Sequence, residues 1–109
     1  KNVTKIDIRI GESSKTSFDH GMSLNTWHHY VVTRNGTALT VYLDYSSVAT
    51  ATVSQDFSNT TYVPTLGAYT HTNSNNLDGK IAQLRIYKGK GFSASEVLQN
   101  YNATKANYV

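Results

Sequence analysis

Apolar and polar side chains alternate along most of this chain, and a period of two is the signature of strands, whose successive side chains point to opposite faces. In residues 4–10, Ile6, Ile8 and Ile10 share one face, and Lys5, Asp7 and Arg9 share the other. Residues 11–15 read as a turn and 16–19 as a short returning strand, after which His20 and Gly21 open another turn. Residues 27–34 form the strongest strand pattern, with Trp27, His29 and Val31 facing one way and His28, Tyr30 and Val32 the other. Both faces are bulky, which predicts a central strand covered on both sides. Asn35 and Gly36 then supply the pair that a type I′ hairpin favours, because both of its central residues need positive φ.

The alternation resumes after that turn, with Leu39, Val41 and Leu43 against Thr40, Tyr42 and Asp44. Residues 45–47 read as a turn, 48–53 as a β-rich run and 56–61 as a loop. Pro64 makes 62–69 an irregular or edge strand, since proline cannot donate to a ladder. Residues 70–76, THTNSNN, are a polar loop. Residues 77–87 read as a strand in which Ile81, Leu84 and Ile86 break strict alternation, the mark of a bulge. Only the tail looks helical. Ser93 and Glu96 stand in the spacing of a capping box, and Val97, Leu98 and Tyr101 form an apolar stripe behind it, predicting a helix over 95–102.

The WHHYVVTR and LTVYLD strands, the LGAY segment, the LDGKIAQLRIY strand and the SASEVLQNYNA helix, in this order, resemble the second half of a concanavalin A-like lectin/glucanase domain of the laminin G type. The resemblance covers residues 24–105. It implies an all-β fold: an antiparallel two-sheet jelly-roll sandwich with one short C-terminal helix, Trp27 in the core beside the hairpin, and Gly79 at a tight turn. Residues 1–109 are accordingly expected to form a single domain, the C-terminal part of a longer one. The strands with which such domains begin are missing from the pattern, so they are expected from an upstream segment or another subunit. The NYNATKANY ending resembles bacteriophage structural proteins. It implies a non-enzymatic virion module of a capsid or tail, attached to other virion proteins or to copies of itself. The alternative is a carbohydrate-binding, lectin-like module of a secreted or cell-surface protein, with cell-surface glycans as partners. One departure is plain: where the family has Asp-Gly after the second hairpin strand, this chain has Asp44 followed by Tyr45, so that turn must differ or bulge.

Composition narrows the chemistry. A charged fraction of 16% beside 39% hydrophobic residues excludes a disordered chain and leaves a surface of Ser, Thr and Asn. Absence of cysteine leaves the fold to its core or to neighbouring subunits. No apolar run reaches spanning length, so no membrane insertion is expected. The net charge of +3 gathers partly at Lys80, Arg85, Lys88 and Lys90. That cluster is too sparse for a nucleic-acid stripe. It reads as a solvated strand edge or as a contact for an acidic surface.

Glycoside hydrolysis needs two carboxylates about 5–10 Å apart. The two glutamates, Glu12 and Glu96, lie in a turn and a helix cap, and no acidic pair alternates along a strand, so no catalytic residue is assigned. His28 and His29 are adjacent on a strand and point to opposite faces, which does not suit one shared metal, and no metal site is assigned. No cofactor is expected. Calcium, the family's common ion, would take oxygen ligands, with Asp19, Asp44 and Asp78 as candidates and Asn73, Asn75 and Asn76 behind them. A sugar site needs aromatic faces for stacking and amides for hydroxyls. Tyr69, His71, Asn73 and Asn75 offer both in one loop, and Tyr45 adds a ring.

Overall fold

The computed structural model describes residues 5–10, 14–19, 21–54 and 79–108. They form two antiparallel ladders and a C-terminal helix. In the first ladder, β1 (Lys5–Ile10) pairs with β2 (Ser14–Asp19), running from Lys5 opposite Asp19 to Ile10 opposite Ser14. The second ladder is a meander in the order β3 (Tyr30–Asn35), β4 (Ala38–Leu43), β5 (Ser46–Thr52). Helix α1 (Ala94–Thr104) continues into a 3-10 turn, Lys105–Tyr108.

The core lies on β4 and joins the two ladders. Leu39 and Val41 are buried on one face of β4, with Val53 beyond the end of β5 and Phe18 from β2 against them. Ile8, Ala49 and Ala51 pack onto this cluster. Burying each large apolar side chain contributes roughly 1.5–3 kcal/mol, so these few residues dominate the described stability. Tyr42 is also buried, on the other face of the same strand. The bulky strand expected to be central, β3, is not. Among the described strands it pairs with β4 alone, and Tyr30 and Val32 are each 41% exposed. Centrality belongs to β4, which has ladders on both sides.

Both connections of the meander differ from expectation in detail. Asn35 is still in the ladder, opposite Ala38, so the central residues of the first turn are Gly36 and Thr37. Gly36 has φ +60°, and Thr37 does not share the positive φ. This is the pattern of a type II′ turn, with glycine at the first central position. The second turn is the one with two left-handed residues. Asp44 (φ 46°) and Tyr45 (φ 68°) separate the paired Leu43 and Ser46. The Asp-Tyr departure is thus absorbed by strain at Tyr45 and by a bulge just beyond. Register passes from Val41 opposite Ala49 to Tyr42 opposite Ser47, which leaves Val48 as the extra residue.

Residues 81–87, expected as a strand with a bulge, pair with none of the described strands, and every residue from 79 to 90 is exposed. Their apolar side chains face an open cleft instead of a partner sheet. This segment returns to the body at Gly91, where an added Cβ would lie 2.7 Å from the backbone oxygen of Arg34. The Arg34 guanidinium fastens the same corner, donating from Nε to the Gly36 carbonyl (2.9 Å) and from Nη2 to the Val53 carbonyl (3.3 Å).

Candidate functional site

A cleft of about 1010 Å³ opens between β3 with its leading residues 26–29 on one side and residues 80–87 on the other, and the end of α1 and the 3-10 turn close one end. That size is at the upper end of small-ligand sites, which range over roughly 300–1,000 Å³. Its walls carry exposed apolar and aromatic side chains: Trp27 at 43% exposure, Tyr87 at 52% and Leu84 at 57%. Each ring has a supporting neighbour. Trp27 leans on Tyr108 with centroids 5.4 Å apart, and Tyr87 on Phe92 at 4.7 Å. The amides of Gln83 and Asn100 also line the cleft. Burial pushes the Tyr30 phenol up to about 12, although part of its ring is open.

The approach to β3 is held by one carboxylate. Asp44 Oδ2 lies 2.7 Å from His28 Nδ1, and Oδ1 accepts from the His29 backbone N–H at 2.8 Å. The Asp44 backbone N–H donates in turn to the His29 carbonyl at 2.8 Å. The other ring nitrogen of His28 lies 3.1 Å from the Ser23 carbonyl. This short circuit explains why the strand begins at Tyr30 and not at Trp27: the N–H of His29 is taken by the Asp44 side chain and not by a ladder carbonyl. It also engages both oxygens of Asp44, one with each histidine. The His29 ring turns to Tyr101, 5.7 Å away and edge-on, and its Nδ1 is buried with no hydrogen-bond partner among the described residues. Burial holds His29 below its ordinary 6.5, opposed by Asp44 and helped by the charge of Arg85 across the cleft.

Of the sugar-site candidates, only Tyr45 is among the described residues; Tyr69, His71, Asn73 and Asn75 lie outside them. So do the calcium candidates Asp78 and Asn76, and no group of three or more His, Asp or Glu side chains gathers among the described residues. Tyr45 is 49% exposed and stacks against Tyr101 with centroids 5.1 Å apart. The Lys105 ammonium stands over the same Tyr101 ring at 5.6 Å. Trp27 is not the core residue it was expected to be: it lies on the cleft wall because the chain before β3 follows the Asp44 hydrogen bonds. Sequence reasoning missed the cleft as a whole. Its walls come from segments over 50 residues apart, and only the apolar excess of 81–87 hinted at it.

A laminin G family model, described as the concanavalin A-like lectin/glucanases superfamily, matches residues 3–98. The chain belongs to this superfamily. The mainly antiparallel β architecture with a short C-terminal helix is consistent with a concanavalin A-like fold. A solved structure with a similar fold is that of an S-layer domain-containing protein (residues 221–444) from Clostridium thermocellum ATCC 27405, at a TM-score of 0.65 and 22% identity. The match covers 81% of this chain and 45% of that one, so this concanavalin A-like chain spans less than half the length of its structural counterpart. No curated protein matches the sequence.

Proposed function

We propose that this chain is a non-catalytic, lectin-like carbohydrate-binding module of a cell-surface or extracellular protein, and that its two ladders belong to the opposed sheets of a jelly roll. The observation that carries the reading is the cleft: half-open faces of Trp27, Tyr30 and Tyr87 beside the amides of Gln83 and Asn100, in a superfamily of lectins and glucanases. Aromatic faces stack on the apolar faces of sugar rings, and amides meet hydroxyls as both donor and acceptor. Catalysis by paired carboxylates finds little support. Asp44 is the one acid on the described cleft wall, and its oxygens are engaged by His28 and His29. Glu96 serves the helix cap and pairs with Lys90 at 2.7 Å. Placement at a cell surface is supported by the S-layer context of the structural counterpart. A virion role rests on the NYNATKANY ending, the lack of an acidic pair along a strand and the incomplete strand pattern. Tyr69, His71, Asn73 and Asn75 stay candidates for the same sugar-binding task.

A glycan array tests the reading. The chain is expected to retain a subset of glycans, and Trp27→Ala and Tyr87→Ala are each expected to weaken retention about tenfold or more, as loss of a buried stacking ring does in other recognition sites. Retention that survives both substitutions would remove the cleft as the sugar site.

A further inference from the structure

Beyond its aromatic walls, the cleft is charged in one sense. Among the described residues four cationic side chains line it: Lys80, Arg85, Lys90 and Lys105. Against them, among the same residues, stands one carboxylate, Asp44, with an imidazole and a backbone N–H already on its oxygens. Lys90 is answered by Glu96, which lies outside the cleft wall, and Lys105 rests over the Tyr101 ring. Lys80 and Arg85 meet no carboxylate among the described residues, and both are exposed. The charge of Arg85 reaches across to the opposite wall, where it helps to keep His29 neutral. A cleft with apolar walls focuses such a field, because low-dielectric surfaces confine it. The structure therefore offers fixed positive charge to whatever lies between β3 and residues 80–87, beside rings that would stack on it.

We infer that the cleft takes an acidic glycan, one whose carboxylate or sulfate groups meet Arg85 and Lys80 while a sugar ring stacks on Trp27 or Tyr87. This rests on the carbohydrate-binding reading and narrows it to a ligand class. Arg85 is the more specific of the two contacts, because a planar guanidinium meets a carboxylate or sulfate with two parallel N–H donors, whereas an ammonium acts as a point charge. Stacking sets the requirement for a sugar, and the cations set the requirement for its charge. A neutral chain of the same shape would leave Lys80 and Arg85 hydrated and gain nothing from them. A charged polymer without sugar faces of the right shape would satisfy the cations and leave the rings unused.

Pairs of polymers that differ only in charge separate these elements. Binding would be measured by calorimetry for dextran sulfate against dextran, and for polygalacturonate against its methyl ester, with duplex DNA as a polyanion lacking exposed sugar faces. Expected is binding of one or both anionic members at least about tenfold tighter than its neutral twin, weakening as salt is raised. The double variant Lys80→Gln with Arg85→Gln should lose most of that preference. Lys88→Gln, with Lys88 outside the cleft lining, should change it less than about twofold, which sets local charge apart from net charge. Equal binding of charged and neutral twins would overturn the acidic-glycan inference and leave the carbohydrate reading standing. Binding of none of the four polysaccharides, with array retention also absent, would overturn both. Duplex DNA bound as tightly as the anionic glycans, or Lys88→Gln as damaging as the cleft variants, would overturn the inference in favour of general electrostatic attraction.

Discussion

At Gly91 one added methyl group has nowhere to go. A Cβ there meets the Arg34 carbonyl oxygen at 2.7 Å and the Asn35 Cβ at 3.2 Å, at the corner where the C-terminal segment rejoins β3. Gly91→Ala is expected to cost about 1–3 kcal/mol in chemical denaturation, the usual range for overpacking, because the obstacle is backbone and cannot swing aside. His29 gives a second residue-level test. Its folded form binds a proton less readily than the unfolded chain, because burial disfavours the charged ring. The unfolded state therefore takes up more protons as pH drops, and stability is full above about 6.5 and falls below it. Denaturation midpoints at about pH 8 and about pH 5 should show this loss, and His29→Gln should reduce the slope. An unchanged slope in that variant would assign the pH dependence to other groups. None of this was legible beforehand. In the sequence, residues 88–91 read only as a turn and His29 as one of a pair of strand histidines, because the partners of Gly91 and His29 are distant in sequence.

At the scale of elements, local signals read well and register read poorly. The capping box was visible in the four residues that make it, and it forms as expected: Ser93 Oγ accepts from the Glu96 N–H at 3.3 Å, and the Glu96 carboxylate accepts from the Ser93 N–H at 3.1 Å. Ser93→Ala is expected to destabilise the protein by about 1 kcal/mol and to speed amide exchange first in the opening turn of α1. Exchange unaltered there would mean that Val97, fully buried, holds the helix without its cap. The helix runs two residues further than its apolar stripe suggested and then tightens into the 3-10 turn, which carries Tyr108 to Trp27. In the meander both hairpins were recognised, yet the turn residues lie one later than expected in the first, at 36–37, and one earlier in the second, at 44–45, with Ser46 and Ser47 already in β5. Turn chemistry marks the place of a reversal, while the ladder on either side decides which residues are central. The Asp44-Tyr45 departure pointed to a changed turn or a bulge, but not to its place, because the extra residue Val48 is as β-prone as its neighbours.

At the scale of the whole molecule, the sequence pattern announced an antiparallel β fold with a helical tail and misjudged which strand lies innermost. Bulk on two faces looked like burial in β3, but there it furnishes the wall of a cleft. Two leucines make the difference measurable. Leu39→Ala removes a side chain 2% exposed from the cluster that joins the ladders, and should cost about 2–5 kcal/mol. Leu84→Ala, at a cleft position 57% exposed, should shift stability by less than about 0.5 kcal/mol. A large loss at Leu84 would mean that residues 80–87 are packed and that the cleft is closed in solution. The wall opposite residues 80–87 contains its own optical probe. Trp27 is the single tryptophan of the chain, and it stands beside Tyr108 at the mouth of the cleft. Its emission colour tracks the water around it, and light absorbed by the neighbouring phenol can be passed to it. A guest entering the cleft would therefore announce itself as a blue shift of intrinsic fluorescence, with no label attached.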